Sequence, residues 1–496
     1  MVGTLADREA SRPSFSLATD PLAAWSQIIF RAIIRLADRP FRYRPHKMAH
    51  ANILNIDTSI RSAIQTKNSE DAEYWSFRGR AKRDAAHALI QYPAMMVPQM
   101  QGEIIDIILS ASPDIETLFD PFVGSGTILT EAMARGKDFI GFDINPLAIL
   151  SSQTKAGPYY VAALDEKIFD LLARLDRDRS TTLDITFPGQ EKWFKPEVSQ
   201  ALSRIRRCIL REESKWARRF FWLSLVEAVR QCSNSRTSTF KLHIRAISDL
   251  ENTSPDAQII FRDAIQKNFD SYKKEAKQLQ KSLNRGSYSG DVTVKLVDSV
   301  TTKEIKKNKG KIDLLVTSPP YGDNATTVPY GQFSFLALQW IDLQDIDSKI
   351  SDDILKTTHE IDARSLGGSI RWAEEKAEHM SVISHSFFKT YSSLNKDKET
   401  KPHAKRLAAF CYDLEQSIIN NASCVRSGGF MIWTLGDRNT GGATVPLSEI
   451  VKESLINAGA ESVASIERSI PSKRMPKKNN VSNTMSTETT LIMRMR

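Results

Sequence analysis

The stretch IETLFDPFVGSGTILTEAMARGKDFIGFD, Ile115–Asp143, decides how this chain folds. Ile115–Asp120 is a short apolar run ending in an acid, and a turn with Gly124 and Gly126 follows it. ILTEAMARG (Ile128–Gly136) is made of helix formers, and DFIGFD (Asp138–Asp143) is a second apolar run ending in an acid. INPLAILSSQ (Ile144–Gln153) then opens a second helix. Such strand–helix alternation predicts an α/β protein with a parallel, doubly wound sheet. Gly124 and Gly126 let the backbone turn tightly and approach a ligand, and free amides where a helix begins near Thr127 suit an anionic group. The same glycines also make an ordinary tight turn. Leu129 stands where the dinucleotide fingerprint needs a third glycine, which points to a small nucleoside bearing a carboxylate rather than to a pyrophosphate. Asp143 lies 23 residues after Asp120, close to the ~20-residue interval at which an acid meets a ribose hydroxyl. Capping the helix that begins at Asn145-Pro146 is its other reading.

Working outward, the strand rhythm stops over 156–287 and returns at VTVKLVD (Val292–Asp298) and KIDLLVTSPPY (Lys311–Tyr321). After another helical stretch come GGFMIWTL (Gly428–Leu435), the helix PLSEIVKESLINAG, and two late strands, ESVASIERS and TTLIMRM. This divides the chain into an N-terminal helical extension (1–75), a sheet domain assembled from 76–155, 288–340 and 428–496, a basic helical insertion (156–287) and a second helical insertion (341–427). The extension includes a helical pattern at Pro21–Phe41.

Thr317-Ser318-Pro319-Pro320-Tyr321 follows the apolar run DLLV. Two prolines directly after a buried strand remove two backbone donors and fix a rigid, extended turn. Ser318 and the Pro319 carbonyl are left as acceptors, with the flat face of Tyr321 beside them. An amino group held between two acceptors directs its lone pair outward, toward an electrophile.

These two motifs resemble those of the amino-methylating DNA methyltransferases, which carry an F-x-G-x-G cofactor loop and a (Asp/Asn/Ser)-P-P-(Tyr/Phe/Trp) tetrapeptide. DPFVGSGT and SPPY match both. The resemblance implies a Rossmann-like class I methyltransferase sheet, mostly parallel with a late antiparallel strand, plus helical insertions. It implies S-adenosylmethionine as cofactor, with Asp120, Phe122, Gly124, Gly126 and Thr127 forming the loop that holds the methionine part. Asp143 would take the ribose and Asp298 the adenine ring, and YPAMM (Tyr92–Met96) would add a further methionine-binding segment. Ser318, Pro319, Pro320 and Tyr321 become the catalytic residues. Serine at the first position goes mostly with cytosine N4, so the implied activity is site-specific methylation of that amino group, in a restriction–modification setting. Double-stranded DNA with a flipped base is the implied substrate, and a cognate restriction endonuclease the implied partner.

Bulk properties agree. Lys and Arg number 68 against 59 Asp and Glu, a formal charge of +9, which suits a polyanionic partner. Ala201–Arg245 holds eleven basic side chains against three acidic ones. We therefore expect Arg206, Arg207, Arg218 and Arg219 to contact phosphates, and the interleaved Trp216, Phe220, Phe221 and Trp222 to be core. Lys473 and Arg474 belong to a second basic cluster, which is either a DNA contact or a solvated loop. None of the four cysteines follows a proline, which excludes cysteine-nucleophile methylation of cytosine C5. None forms a C-x-x-C pair, and His46 and His50 lack further ligands, so no metal site is expected. No signal peptide or membrane-length apolar run is present, and a cytoplasmic location fits. Three alternatives stay open: an adenine-N6 DNA enzyme, a guanine-N2 RNA enzyme, whose catalytic prolines are also followed by Tyr-Gly, and a non-catalytic DNA-binding subunit.

Overall fold

Leu118 and Phe119 are adjacent in a strand, so they point to opposite faces, and both are fully buried. The same alternation runs through the neighbouring strands and divides the apolar side chains into two cores. Leu118, Leu314, Val316, Phe430 and Ile432 pack on one side of the sheet, and Phe119, Leu315, Met431 and Trp433 on the other. Burial on both faces is what a parallel sheet covered by helices requires. The computed structural model describes residues 47–80, 83–300, 302–470 and 487–496, with side chains from Leu54 on except those of 302 and 303. Asn55–Arg496 forms one unit.

Its sheet has seven strands: β1 (Thr117–Asp120), β2 (Asp138–Asp143), β3 (Val292–Leu296), β4 (Ile312–Thr317), β5 (Val425–Leu435), β6 (Ala460–Ser469) and β7 (Thr487–Met495). They lie in the order β6-β7-β5-β4-β1-β2-β3. β1 to β5 are mutually parallel, and β7 runs antiparallel between β5 and β6. This is the expected sheet, including its late antiparallel strand. The chain runs outward from β1 to β3 on one side and resumes at β4 on the other. β1 and β4 therefore flank the switch point, where open α/β sheets bind ligands at their carboxyl edge.

Among the described residues, the helices that pack on the sheet include α1 (Pro98–Ala111), α2 (Thr127–Ala134), α3 (Pro146–Lys155), α4 (Val161–Arg177), α5 (Pro196–Leu210), α6 (Lys215–Cys232), α7 (Ala257–Gln278), α8 (Tyr330–Trp340), α9 (Ala373–Ile383), α10 (His385–Leu394), α11 (Lys401–Cys424) and α12 (Leu447–Asn457). Those up to α8 pack into the first core, through Ile105, Leu129, Ile149, Leu202, Phe261 and Leu338 among others. α9 to α12 fill the second core, through Met380, Phe387, Leu414 and Ile450. Phe220, Phe221 and Trp222 on α6 are buried in the first core, as expected. The helices between β2 and β3 thus share a core with the sheet. Among the described residues no helix is long and apolar enough to cross a membrane. Pro21–Phe41 and His46 lie outside the described residues, as does the His50 side chain.

Candidate active site

β1 ends at Asp120, and its backbone turns through Gly124 (φ +48°) and Gly126 (φ +82°) into α2. Each glycine has its own reason. A Cβ on Gly126 would lie 2.9 Å from the Ser152 hydroxyl of α3, so this position lets two helices approach. Gly124 needs its positive φ and lies beside the Tyr92 ring. The Ser151 hydroxyl donates to the Ser125 carbonyl at 3.1 Å and braces the turn from behind.

Asp143, at the end of β2, accepts the Gly124 amide on Oδ2 and the Asn145 amide on Oδ1, both at 2.9 Å. The cap of α3 is Asn145 itself, whose Oδ1 accepts the Leu147 amide, so Asp143 does not serve as the helix cap. The Asn145 amide nitrogen donates to the Tyr92 hydroxyl at 2.9 Å and to Ser334 at 2.7 Å. Tyr92 in turn stacks on Tyr330 of α8. Asn145 therefore ties the YPAMM segment to the acid-tipped strand, a role that its position before Pro146 conceals.

A cleft of about 240 Å³ opens over this turn. Tyr92–Met96, Phe122, Gly124, Ser125, Thr127, Asp143, Asp298, Ser318 and Pro320 line it, with Asn324, Tyr330 and Asp413 from later segments. The structure thus brings most of the expected site residues to one cavity. Asp120, Gly126, Pro319 and Tyr321 are not part of its lining. Asp120 is fully buried, and its Oδ1 accepts the Thr317 hydroxyl at 2.6 Å and the Phe122 amide at 3.0 Å, joining the ends of β1 and β4. Its other oxygen has no partner.

Two acids of this site, Asp120 and Asp143, have no paired cation among the described residues, whereas Asp413 pairs with Lys376 at 2.8 Å. Burial pushes the Asp120 carboxyl up to about 7, against the pull of the Thr317 and Phe122 hydrogen bonds. It pushes Asp143 up to about 6, against the backbone amides of Asn145 and Gly124. Asp298, whose Oδ1 accepts the Val300 amide, is also raised by burial. No lysine or arginine among the described residues pairs with Asp120 or Asp143. A cationic ligand suits such a site.

The tetrapeptide leaves β4 at Thr317. The Ser318 hydroxyl lies 3.1 Å from that of Tyr321, which lies 3.4 Å from Glu488 Oε1 on β7. Gly322 follows because a Cβ there would stand 1.5 Å from an Arg438 guanidinium nitrogen. The buried Asp323 sits near both Arg406 (3.6 Å) and Arg438 (3.8 Å). Asn324 donates to Asp362, which also accepts the Gly331 and Gln332 amides at the start of α8.

The arginines of α5 and α6 are engaged inside the protein. Arg206 pairs with Asp184, and Arg207 with Asp178 at 3.1 Å. Arg218 grips Asp345 at 2.6 and 2.7 Å while Trp222 donates to the same carboxylate, and Arg219 donates to the Asp345 carbonyl. The side chains of Arg236 and Lys241, by contrast, make no hydrogen bond or ion pair among the described residues. They border a recess with Phe240 and Phe333, and Phe333 packs edge-on against Tyr92 of the cleft. Lys473 and Arg474 lie outside the described residues.

A nucleoside-sized cleft at the switch point, with a Ser-Pro-Pro-Tyr turn on its rim, defines the class as amino-directed methyltransferases. A family model described as DNA methylase matches residues 48–153. The type II methyltransferase M.MvaI of Kocuria varians is 30% identical over 458 residues, spanning 88% of this chain and 97% of that protein. The type II methyltransferase M.MjaII of Methanocaldococcus jannaschii is 30% identical over 128 residues, 24% of this chain and 23% of that one. The rRNA methyltransferase aviRa of Streptomyces viridochromogenes aligns over 82% of this chain and 88% of its own at 10% identity and a TM-score of 0.29, too distant to weigh. This chain belongs to the amino-methylating DNA methyltransferase family. The family implies S-adenosylmethionine as methyl donor.

Proposed function

We propose that this DNA amino-methyltransferase acts on the exocyclic N4 of cytosine, as the modifying member of a cytoplasmic restriction–modification pair. The observation that carries the base assignment is Ser318 at the head of the tetrapeptide, lining the same cleft as Gly124 and Asp143. S-adenosylmethionine, when bound, supplies an electrophilic methyl group. Phe122, Gly124 and Thr127 would hold its methionine part with Asp120 behind them, Asp143 the ribose and Asp298 the adenine. The unpaired Asp120 and Asp143 suit its cationic groups.

The target base must leave the duplex to reach such a cleft. Ser318 Oγ and the Pro319 carbonyl accept its two amino N–H groups, which turns the nitrogen lone pair toward the donor. Pro319 and Pro320 keep these acceptors from relaxing away, and the Tyr321 hydroxyl holds that of Ser318. The chain's contribution is orientation for in-line transfer, with no covalent intermediate. The new N–C bond would form as the donor's methyl–sulfur bond breaks, with S-adenosylhomocysteine as the other product and the displaced amino proton passing to solvent.

For the duplex, the internal pairs of Arg206, Arg207, Arg218 and Arg219 compete with phosphate contact. Arg236 and Lys241 meet no such competition, so we place the first phosphate contacts there and those of the four arginines second. Incubation with labelled donor and mixed DNA, followed by digestion to nucleosides, tests the base. N4-methylcytosine is expected, and N6-methyladenine would overturn the assignment while leaving the site in place.

A further inference from the structure

The polar contacts of the catalytic turn do not stop at Ser318. Its hydroxyl meets the Tyr321 hydroxyl at 3.1 Å, and that hydroxyl meets Glu488 Oε1 at 3.4 Å, long in the way catalytic contacts often are before substrate arrives. The other Glu488 oxygen accepts Arg468 Nε at 2.9 Å and also its Nη2. Arg468 and Glu488 face each other across β6 and β7. Their side chains are only 7% and 15% exposed, so the pair is a fixed post behind the turn rather than a surface contact.

Donor and acceptor inventories then set the direction of every proton. An ionised carboxylate can only accept, and Arg468 can only donate. Charge-assisted bonds are the stronger ones, so the single Tyr321 proton is directed at Glu488. The Tyr321 oxygen is left to accept, and the Ser318 proton goes to it. Ser318 Oγ consequently turns only lone pairs toward the cleft. A base edge carrying an amino group brings donors and is welcomed there, whereas a keto oxygen or unprotonated ring nitrogen meets acceptor against acceptor.

We propose that Glu488 is a positioning residue that fixes the proton order Ser318→Tyr321→Glu488 and so selects an exocyclic amino group. This rests on Ser318 being the acceptor for the substrate, as proposed above. It supplies what Ser318 alone lacks, because an isolated hydroxyl can rotate and present its proton instead.

Glu488→Gln reverses the order with almost no change in shape. Arg468 would hold the amide oxygen, since it has no acceptor to offer the amide nitrogen. The nitrogen then donates to Tyr321, the Tyr321 proton turns to Ser318, and the Ser318 proton enters the cleft. We expect the single-turnover methylation rate to fall about 10- to 100-fold, the scale of a lost and opposed hydrogen bond. KM for DNA and the dissociation constant for S-adenosylmethionine should stay within about twofold, and the melting temperature should hold. Tyr321→Phe keeps the ring and cuts the chain. In that background Glu488→Gln should have no further effect, whereas a merely structural role for Glu488 would slow both backgrounds alike. Wild-type turnover in Glu488→Gln, or equal slowing in both backgrounds, overturns the proposal. Ser318→Ala run alongside separates the two levels. If it too turns over at the wild-type rate, the acceptor role of Ser318 falls and takes this inference with it; if Ser318→Ala is slow and Glu488→Gln is not, only the proton order falls.

Discussion

The cleft at the switch point and the arginine-rich helices α5 and α6 handle charge in opposite ways. Asp120 is buried and Asp143 partly buried, neither with a paired cation, and their carboxyls are pushed up to about 7 and about 6. On α5 and α6 each of Arg206, Arg207 and Arg218 has found an acid, and Asp345, held by Arg218 and Trp222, is drawn below its ordinary range despite burial. Charge left unbalanced in a folded protein points to a ligand, because leaving it so has a cost that only binding recovers. Charge balanced inside points to structure. A count of basic residues does not separate the two.

The largest effect expected from this contrast is on stability. Arg218→Ala would leave Asp345, 3% exposed, with only Trp222 as a side-chain partner. Breaking a buried pair from one side destabilises by about 3 kcal/mol or more. Equilibrium unfolding in denaturant measures this. An unchanged midpoint would show that the pair behaves as a surface contact and would free Arg218 for phosphate.

On the cleft side, Asp143→Ala should leave the fold largely intact and weaken S-adenosylmethionine binding by about 1–3 kcal/mol, the cost of unmatched hydroxyl partners. Calorimetric titration reads it directly. Full affinity in this variant would remove the ribose role and leave Asp143 as a brace for Gly124.

The raised acids also sharpen the comparison through pH. A carboxyl whose pKa is higher folded than unfolded binds more protons when folded, so it favours the folded state as pH falls from about 6 toward its ordinary value. A cationic ligand wants the same group ionised and must expel that proton. Affinity for S-adenosylmethionine should therefore decline as pH drops through about 6, by up to about tenfold per unit for a single group. Asp143→Asn should remove the steepening below about 6 and keep the decline due to Asp120, which begins near 7. Identical pH profiles for the variant and the wild type would show that Asp143 does not titrate on binding.

The cleft was legible in the sequence because its signals are local. Strand, glycine turn, helix and acid-tipped strand follow one another within Ile115–Asp143, and SPPY closes its own strand. What escaped notice is carried by distant partners. Asp345 lies 127 residues from Arg218, and Glu488 lies 167 from Tyr321 in a run of threonines where nothing marks it. Asp178 and Asp184 sit just upstream of the basic window Ala201–Arg245, so a charge count over that window missed them. Asn145 showed as a helix start, while its links to Tyr92 and Ser334 depend on how α8 folds back.

The smallest effect expected is also the one that divides the basic residues most cleanly. Each phosphate neutralised by a side chain contributes about 0.9 to the slope of log affinity against log salt on duplex DNA. Among the described residues the side chains of Arg236 and Lys241 have no hydrogen bond or ion pair to give up, and they border a recess that reaches Phe333, next to the cleft. Arg236→Ala and Lys241→Ala should each lower the slope by roughly that amount and leave stability unchanged. Arg206 and Arg207 must first abandon Asp184 and Asp178, so their alanine variants should change stability more than slope. Binding isotherms at four or five salt concentrations, with melting temperatures on the same samples, separate the outcomes. If the slope falls for Arg206→Ala and Arg207→Ala but not for Arg236→Ala and Lys241→Ala, then the paired arginines exchange their acids for phosphate when DNA arrives. The duplex would then lie across α5 and not over the Phe240 recess.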